Sequence, residues 1–208
     1  MPKIALFDMD GTLFDYEGQM RKDLAWIAAP YEEPGITAIQ TGDLWELSKM
    51  YPHLERRMDL IKKTPGWWRK LPTFKLGWNI YHMAKAVGFC TKILTKGPRS
   101  KSTAWAEKVD CINDHFGEDM SIDIVGKNKD DVYGRVLVDD FPEYISGWLA
   151  NRPRGLGILP AGSCNKGFEH PNAIIYDGTN DEEVYAALRS AFRRNSKQHW
   201  KELLSAAV

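Results

Sequence analysis

The residues best suited to chemistry follow the first apolar run of the chain. Lys3 to Phe7 is a short, mostly apolar segment typical of a buried parallel strand, and Asp8, Asp10 and Gly11 come directly after it. In open α/β sheets, ligands bind at the carboxyl ends of the strands. The sequence therefore predicts a ligand site at the end of its first strand.

The spacing of Asp8 and Asp10 suits phosphate chemistry. On a continuing strand, side chains two residues apart point to the same face, and Gly11 lets the chain turn sharply behind them. One carboxylate can bind Mg²⁺ and attack phosphorus, while the other carboxyl group protonates the departing oxygen. Acids of an ordinary loop are the alternative, but the full string Asp-Met-Asp-Gly-Thr-Leu after an apolar strand favours a reactive site.

Length and composition limit the classes of protein that the chain can belong to. Its 208 residues allow one domain with a substantial core, or a core plus a smaller inserted cap, and we expect the second. Basic and acidic residues balance at 28 each, so the net charge does not indicate a nucleic acid polymer or a membrane as partner. The three cysteines lack metal-type spacing, and no signal peptide or long apolar run is present. We expect a soluble, cytoplasmic protein, with a homodimer as one assembly that the sequence leaves open.

The remaining apolar runs alternate between the strand and helix periods. Strands are predicted over residues 89–95, 122–125, 135–138, 157–159 and 173–176. Helices are predicted over 16–29, 42–63 with a break at Tyr51-Pro52, 74–87, 100–116, and from 179 onwards as far as Leu203. This alternation indicates an α/β fold with a parallel sheet. We expect residues 1–15 and 71–208 to form the core domain, and 16–70 to form a small helical cap inserted after the first strand.

The first motif, Asp8-Met9-Asp10-Gly11-Thr12, resembles that of the haloacid dehalogenase-like (HAD) superfamily, Asp-x-Asp-x-Thr/Val. The resemblance implies a Rossmann-like, three-layer α/β/α core. It also implies that Asp8 is the nucleophile forming an aspartyl-phosphate and that Asp10 is the general acid and then the base. Because the dehalogenases lack the second aspartate, Asp10 points to phosphate-ester hydrolysis or phosphoryl transfer.

The later motifs of that superfamily also have counterparts here. Thr95 ends a predicted strand, as in the second motif, and Lys129 is our choice for the third-motif lysine, with Lys127 the runner-up and a candidate substrate contact. Such a lysine offsets the crowding of carboxylate and phosphate charge. The phosphate-binding groups implied by the resemblance are Thr95, Lys96, Lys129 and the backbone N–H groups of Gly11 and Thr12.

The metal site implied by the resemblance involves the acids after the strand at 135–138. Asp139-Asp140 matches the fourth motif, and Mg²⁺ would be held by Asp8, the backbone carbonyl of Asp10 and this pair. Asp140 ranks as the direct ligand. Asp139 stays open between ligand and supporting residue.

Several strings resemble one branch of the superfamily, the 5′(3′)-deoxyribonucleotidases. They are Asp15-Tyr16-Glu17-Gly18, Ala104-Trp105-x-Glu107-Lys108 and Asp139-Asp140-x-Pro142. This resemblance implies hydrolysis of nucleoside 5′-monophosphates, with the base held at Tyr16, Leu44 and Trp45. Two departures are the aliphatic Leu44 in place of an aromatic residue, and Lys96-Gly97-Pro98 in place of Ser-Pro. Alternatives are a HAD phosphatase for another small phosphomonoester, a phosphotransferase such as a phosphosugar mutase, and a non-catalytic binding module.

Overall fold

A computed structural model describes residues 2–28, 36–41, 43–97 and 102–194, and these contain a six-stranded sheet in which every pairing is parallel. The strands are β1 Ile4–Phe7, β2 Cys90–Lys96, β3 Ile122–Val125, β4 Val136–Val138, β5 Leu156–Pro160 and β6 Ala173–Tyr176. Their order in the sheet is β3-β2-β1-β4-β5-β6. The predicted α/β fold with a parallel sheet is confirmed, and all six strands lie where the apolar runs placed them.

The position of β1 explains why ligand chemistry gathers at its end. After β1 the chain builds β2 and β3 on one side and then returns to add β4 on the other, which makes β1 a topological switch point. Phe7 pairs with Ile93 of β2 and with Val138 of β4. This register brings the residues that follow the three strands to one edge of the sheet.

The helices lie mostly where the sequence predicts them. They are α1 Tyr16–Ile27, α2 Ile36–Thr41, α3 Leu44–Met50, α4 Pro52–Ile61, α5 Lys75–Val87, α6 Ser102–Phe116, α7 Pro142–Ala150 and α8 Asp181–Arg193, with a 3₁₀ turn over Ser163–Asn165. The break predicted at Tyr51-Pro52 separates α3 from α4. The sequence analysis did not predict α2 and α7. The terminal helix predicted beyond residue 194, including Leu203, and Pro98 lie outside the described residues.

The side chains of the sheet pack into two apolar layers. Phe7 belongs to a cluster with Ile80 of α5 and Leu188 of α8, whereas its neighbour Leu6 packs in a separate cluster with Trp148 of α7. Alternate residues of a strand face opposite sides of a sheet, so helices cover both faces. The three-layer α/β/α architecture follows from this arrangement.

Helices α1 to α4 fill most of the segment where the cap is predicted. In this segment α1 packs against α2 and α4, and α3 packs against α4. The stretch that follows contacts α6, since the Glu107 carboxylate accepts hydrogen bonds from the Gly66 and Trp68 backbone N–H groups, at 2.8 and 3.2 Å. The division into core and cap domains at residues 15 and 71 stays a prediction. None of the described helices is long and apolar enough to cross a membrane.

Candidate active site

The loop after β1 folds back on itself and places its acids against the end of β4. Gly11 has a φ of +74°, and a Cβ there would lie 2.3 Å from Asp140 Oδ2. Only glycine combines this left-handed backbone with so close an approach. The Gly11 N–H, a predicted phosphate donor, here donates to the Phe14 carbonyl at 2.8 Å.

Lys129 lies between the acids of the first and fourth motifs. It is 1 % exposed, and its Nζ lies 2.6 Å from both Asp8 Oδ1 and Asp139 Oδ2. Burial lowers the pKa of Lys129, but the charges and hydrogen bonds of Asp139 and Asp8 raise it by more than burial lowers it. The net pKa is therefore above its ordinary value. The lysine therefore stays charged. The runner-up, Lys127, is exposed.

Asp8, Asp139 and Asp140 form an acidic cluster, each with one ligand oxygen within 4.8 Å of those of the others. Burial raises the pKa of Asp139 to about 7 despite Lys129. Burial also raises the pKa of Asp140 well above its usual range, and the charges of Asp139 and Asp8 add to that effect. Three carboxylates facing a single lysine suit a hard divalent cation such as Mg²⁺, since carboxylate oxygens are its preferred protein ligands.

The loop after β5 supports Asp140. Asn165 Nδ2 donates to the Asp140 carbonyl oxygen at 3.0 Å, and the Cys164 thiol lies 3.6 Å from Asp140 Oδ2. Thr12, whose backbone N–H is a predicted phosphate donor, donates its side-chain hydroxyl to Asp140 Oδ1 at 3.4 Å. Cys164 and Asn165 were not predicted as site residues. Their loop is short and has no hydrophobic periodicity, so the local sequence does not show that it contacts Asp140.

Lys108 is the second buried lysine of the site, and the sequence analysis gave it no role. It is 1 % exposed, and its Nζ lies 2.5 Å from Asp10 Oδ2, 3.1 Å from Thr95 Oγ1 and 2.8 Å from the Lys96 carbonyl oxygen. A signal was present, because Lys108 lies four residues after the buried Ala104 and four before the buried Ile112, which puts a lysine on an apolar stripe.

Asp10 is placed to exchange a proton. Burial raises its pKa, Lys108 lowers it, Asp8 raises it, and the net pKa lies above the ordinary value. Its Oδ1 is buried and has no hydrogen-bond partner among the described residues. A carboxyl group with a raised pKa and one free oxygen can give a proton to a leaving group and later take one from water.

Thr95 and Lys96 end β2 beside these acids. The Thr95 side chain is buried and accepts from Lys108, whereas Lys96 Nζ donates to the Tyr144 hydroxyl at 3.1 Å. The structure thus brings Asp8, Asp10, Thr95, Lys129, Asp139 and Asp140 together at one edge of the sheet.

A cleft of about 230 Å³ adjoins Asp140 and is lined by all three predicted base contacts, Tyr16, Leu44 and Trp45. The Tyr16 ring packs against two tryptophans: Trp68 is stacked on it at 5.8 Å between centroids, and Trp67 meets it edge to face at 5.5 Å. Trp45 is 56 % exposed and meets Phe141 edge to face at 6.3 Å. Glu17, Asp43, Glu55 and Lys62 also line this cleft.

No protein-family model matches the chain, and no curated protein matches it significantly. Solved structures do resemble it. A HAD family hydrolase from Deinococcus radiodurans R1, with bound phosphate and sodium, is 18 % identical with a TM-score of 0.53, and the alignment covers 92 % of this chain and 96 % of that one. A protein from Burkholderia xenovorans LB400 described as haloacid dehalogenase-like is 13 % identical with a TM-score of 0.51, over 93 % and 99 % of the chains.

At these identities the comparisons show the fold alone. The chain has the fold of HAD-like hydrolases across most of its length, and the site described above lies at the carboxyl end of its sheet.

Proposed function

We propose that this protein is a Mg²⁺-dependent phosphatase that hydrolyses nucleoside 5′-monophosphates through an aspartyl-phosphate on Asp8. The observation that carries the proposal is the pairing of two aspartates with separate buried lysines, Asp8 with Lys129 and Asp10 with Lys108. Each carboxylate therefore has its own electrostatic environment. Two acids in different environments can take different roles in one reaction.

Asp8 is the nucleophile in this proposal. Lys129 holds Asp8 Oδ1 at 2.6 Å, which leaves Oδ2 to attack phosphorus. The bond from phosphorus to the sugar oxygen breaks as the new bond to Asp8 forms. Asp10, whose pKa is raised by burial, gives its proton to the departing oxygen.

The second half of the reaction reverses the role of Asp10. Its carboxylate takes a proton from a water molecule, the water oxygen bonds to phosphorus, and the bond to Asp8 breaks to release inorganic phosphate. Thr95 Oγ1 and Lys108 Nζ, which lie 3.1 Å apart beside Asp10, are placed to bind the phosphoryl oxygens. Asp8, Asp139, Asp140 and the Asp10 carbonyl would hold Mg²⁺, which supplies further charge neutralisation.

The cleft beside Asp140 supports a nucleoside as the leaving group. The Trp45 and Phe141 rings offer flat apolar surface on which a base can stack. Glu55, and the oxygens of Glu17 and Asp43 other than Glu17 Oε1 and Asp43 Oδ1, which already accept hydrogen bonds, can accept from the amino and imino groups of a base.

The test is phosphate release with Mg²⁺ from the common ribo- and deoxyribonucleoside 5′-monophosphates, beside phosphosugars, phosphoserine and an aryl phosphate. We expect nucleotides to be the preferred substrates, and Asp8→Asn to lose several orders of magnitude in rate. Preference for deoxynucleotides would support the deoxyribonucleotidase assignment. Activity on the other esters alone would overturn the nucleotide assignment, and transfer to a sugar phosphate rather than to water would indicate a mutase. Near wild-type turnover by Asp8→Asn would overturn the mechanism.

A further inference from the structure

A second cavity, of about 250 Å³, lies beside the amino ends of β4 and β5, whereas the acidic cluster lies at the carboxyl ends of the strands. It opens beside the residues that precede β4 and β5, whereas Asp139 follows β4 at the other end. Four arginines line it: Arg135, Arg152, Arg154 and Arg194. They come from three separate parts of the chain, namely the approach to β4, the turn between α7 and β5, and the end of α8.

Two of these arginines have structural partners that fix them in place. Arg135 Nη1 donates to the carbonyl oxygens of Ala191, Phe192 and Arg194 at 3.1, 3.0 and 2.8 Å, and so caps the end of α8. Arg152 Nη1 donates to the Asp130 carbonyl at 2.5 Å, and its guanidinium lies 5.0 Å from the Trp148 ring centroid.

The side chains of Arg154 and Arg194 have no such partner among the described residues. Arg154 is exposed and Arg194 is half-buried. Within the described ranges neither of them, nor Arg135 or Arg152, forms an ion pair with a carboxylate. The positive charges around the cavity are thus not neutralised by ion pairs within this part of the chain.

The electrostatics of the cavity agree with that geometry. Burial lowers the pKa of Arg194, and the positive charges of Arg154 and Arg135 lower it further. Burial also lowers the pKa of Arg152, although there the charges of Asp130, Asp131 and Tyr133 act in the opposite direction. At the Arg194 side the cavity therefore presents converging positive charge.

We propose that this cavity binds a short oligophosphate chain, either inorganic or as the phosphate part of a nucleoside di- or triphosphate. Guanidinium groups match phosphate oxygens with paired N–H donors, and several arginines around one cavity favour a compact polyanion over a single charge. Arg135 and Arg152 supply a rigid base, and Arg154 and Arg194, which have no ion-pair partner in the described part of the chain, complete the contacts. Such a site is separate from the phosphatase site and uses none of its residues.

The experiment is isothermal titration of the full chain with sodium tripolyphosphate, and with a nucleoside triphosphate, without divalent cations at low ionic strength. We expect saturable binding that weakens as salt is added. Arg154→Glu/Arg194→Glu should weaken it at least tenfold, and Arg154→Gln/Arg194→Gln should weaken it by a smaller factor. Arg193→Glu changes the charge by two units, as Arg154→Gln/Arg194→Gln does, but at the exposed neighbouring residue, and it should change the affinity less than about threefold.

Further arms of the experiment separate the two sites and the two sources of phosphate. Lys96→Met, which removes an exposed positive charge beside the phosphatase site, should leave tripolyphosphate binding intact. Tighter binding of the nucleoside triphosphate would identify a nucleotide as the ligand, and equal binding would identify the phosphate chain alone. Absence of binding, unchanged affinity in both double variants, or loss of binding in Lys96→Met alone would overturn the proposal.

Discussion

Lys108 Nζ lies 2.5 Å from Asp10 Oδ2, in a contact between residues 98 positions apart in the chain. The lysine reaches this position from the middle of α6, and it also donates to Thr95 and to the Lys96 carbonyl. Because Lys108 is 1 % exposed, its charge is compensated almost entirely by these groups. The contact fixes the orientation of Asp10 and leaves its Oδ1 free of partners in the described chain.

Replacing Lys108 with methionine should lower turnover by about 10- to 100-fold, because Asp10 loses its orientation and the phosphoryl group loses a cation. The pKa of Asp10 should rise, since removal of a positive charge disfavours the carboxylate. The alkaline limb of the rate profile that reports Asp10 should move to higher pH. Steady-state kinetics across pH measures both effects, with Lys85→Met on the exposed side of α5 as the matched control. Unchanged turnover would show that Lys108 is only a packing residue.

The acidic cluster predicts how stability depends on pH. The folded-state pKa of Asp139, raised by burial to about 7, lies above its value in the unfolded chain. Between about pH 4 and 7 the folded state therefore binds more protons, and the metal-free protein loses stability as pH rises through this range. Thermal unfolding in a chelator should give a lower Tm at pH 8 than at pH 5.

Adding Mg²⁺ at pH 8 should restore part of that loss, because a cation that binds only the folded state stabilises it. Asp139→Asn removes the buried carboxyl group whose pKa is raised. The Tm of this variant without metal should therefore fall less between pH 5 and 8 than the Tm of the wild type. A Tm that does not respond to Mg²⁺ at pH 8 would contradict the assignment of Asp8, Asp139 and Asp140 as a cation site.

Much of the site could be predicted because its residues follow apolar strands. Asp8, Thr95 and Asp139 each come at the end of a strand, and parallel strands align their carboxyl ends. Lys108 could not be assigned in this way, because its partners Asp10 and Thr95 are set by how α6 packs on the sheet. The buried residues of α6 are Ala104, Lys108, Cys111 and Ile112.

Helix α7 was missed for a local reason. Pro142 follows the paired acids and suggests a turn, but proline is also favoured at the first position of a helix, and α7 begins there. Phe141, immediately before it, consequently lies against Trp45 in the cleft. The sequence did not indicate that contact, because the two residues belong to different elements far apart in the chain.

The cleft predicts a change in substrate affinity on removal of one aromatic ring. Trp45→Ala should raise KM for nucleoside monophosphates about 5- to 150-fold, since stacking of a base on an aromatic ring contributes roughly 1 to 3 kcal/mol. KM for a small phosphomonoester without an aromatic ring should change little. Trp26→Ala is the control, because Trp26 is 89 % exposed on α1 and does not line the cleft. Equal effects on both substrate classes would place Trp45 in a structural role.

The last prediction concerns how α5 fixes the loop after β1. Gly77, in the first turn of α5, lies so close to this loop that a Cβ would fall 1.7 Å from the Thr12 carbonyl oxygen. Gly77→Ala should destabilise the protein by about 2 kcal/mol or more and reduce turnover, because the backbone of the loop must move. Chemical denaturation and activity together measure this. Gly162→Ala, whose Cβ would meet nothing closer than 3.9 Å, should unfold like the wild type. If Gly77→Ala were as stable and as active as Gly162→Ala, α5 would not position the catalytic loop.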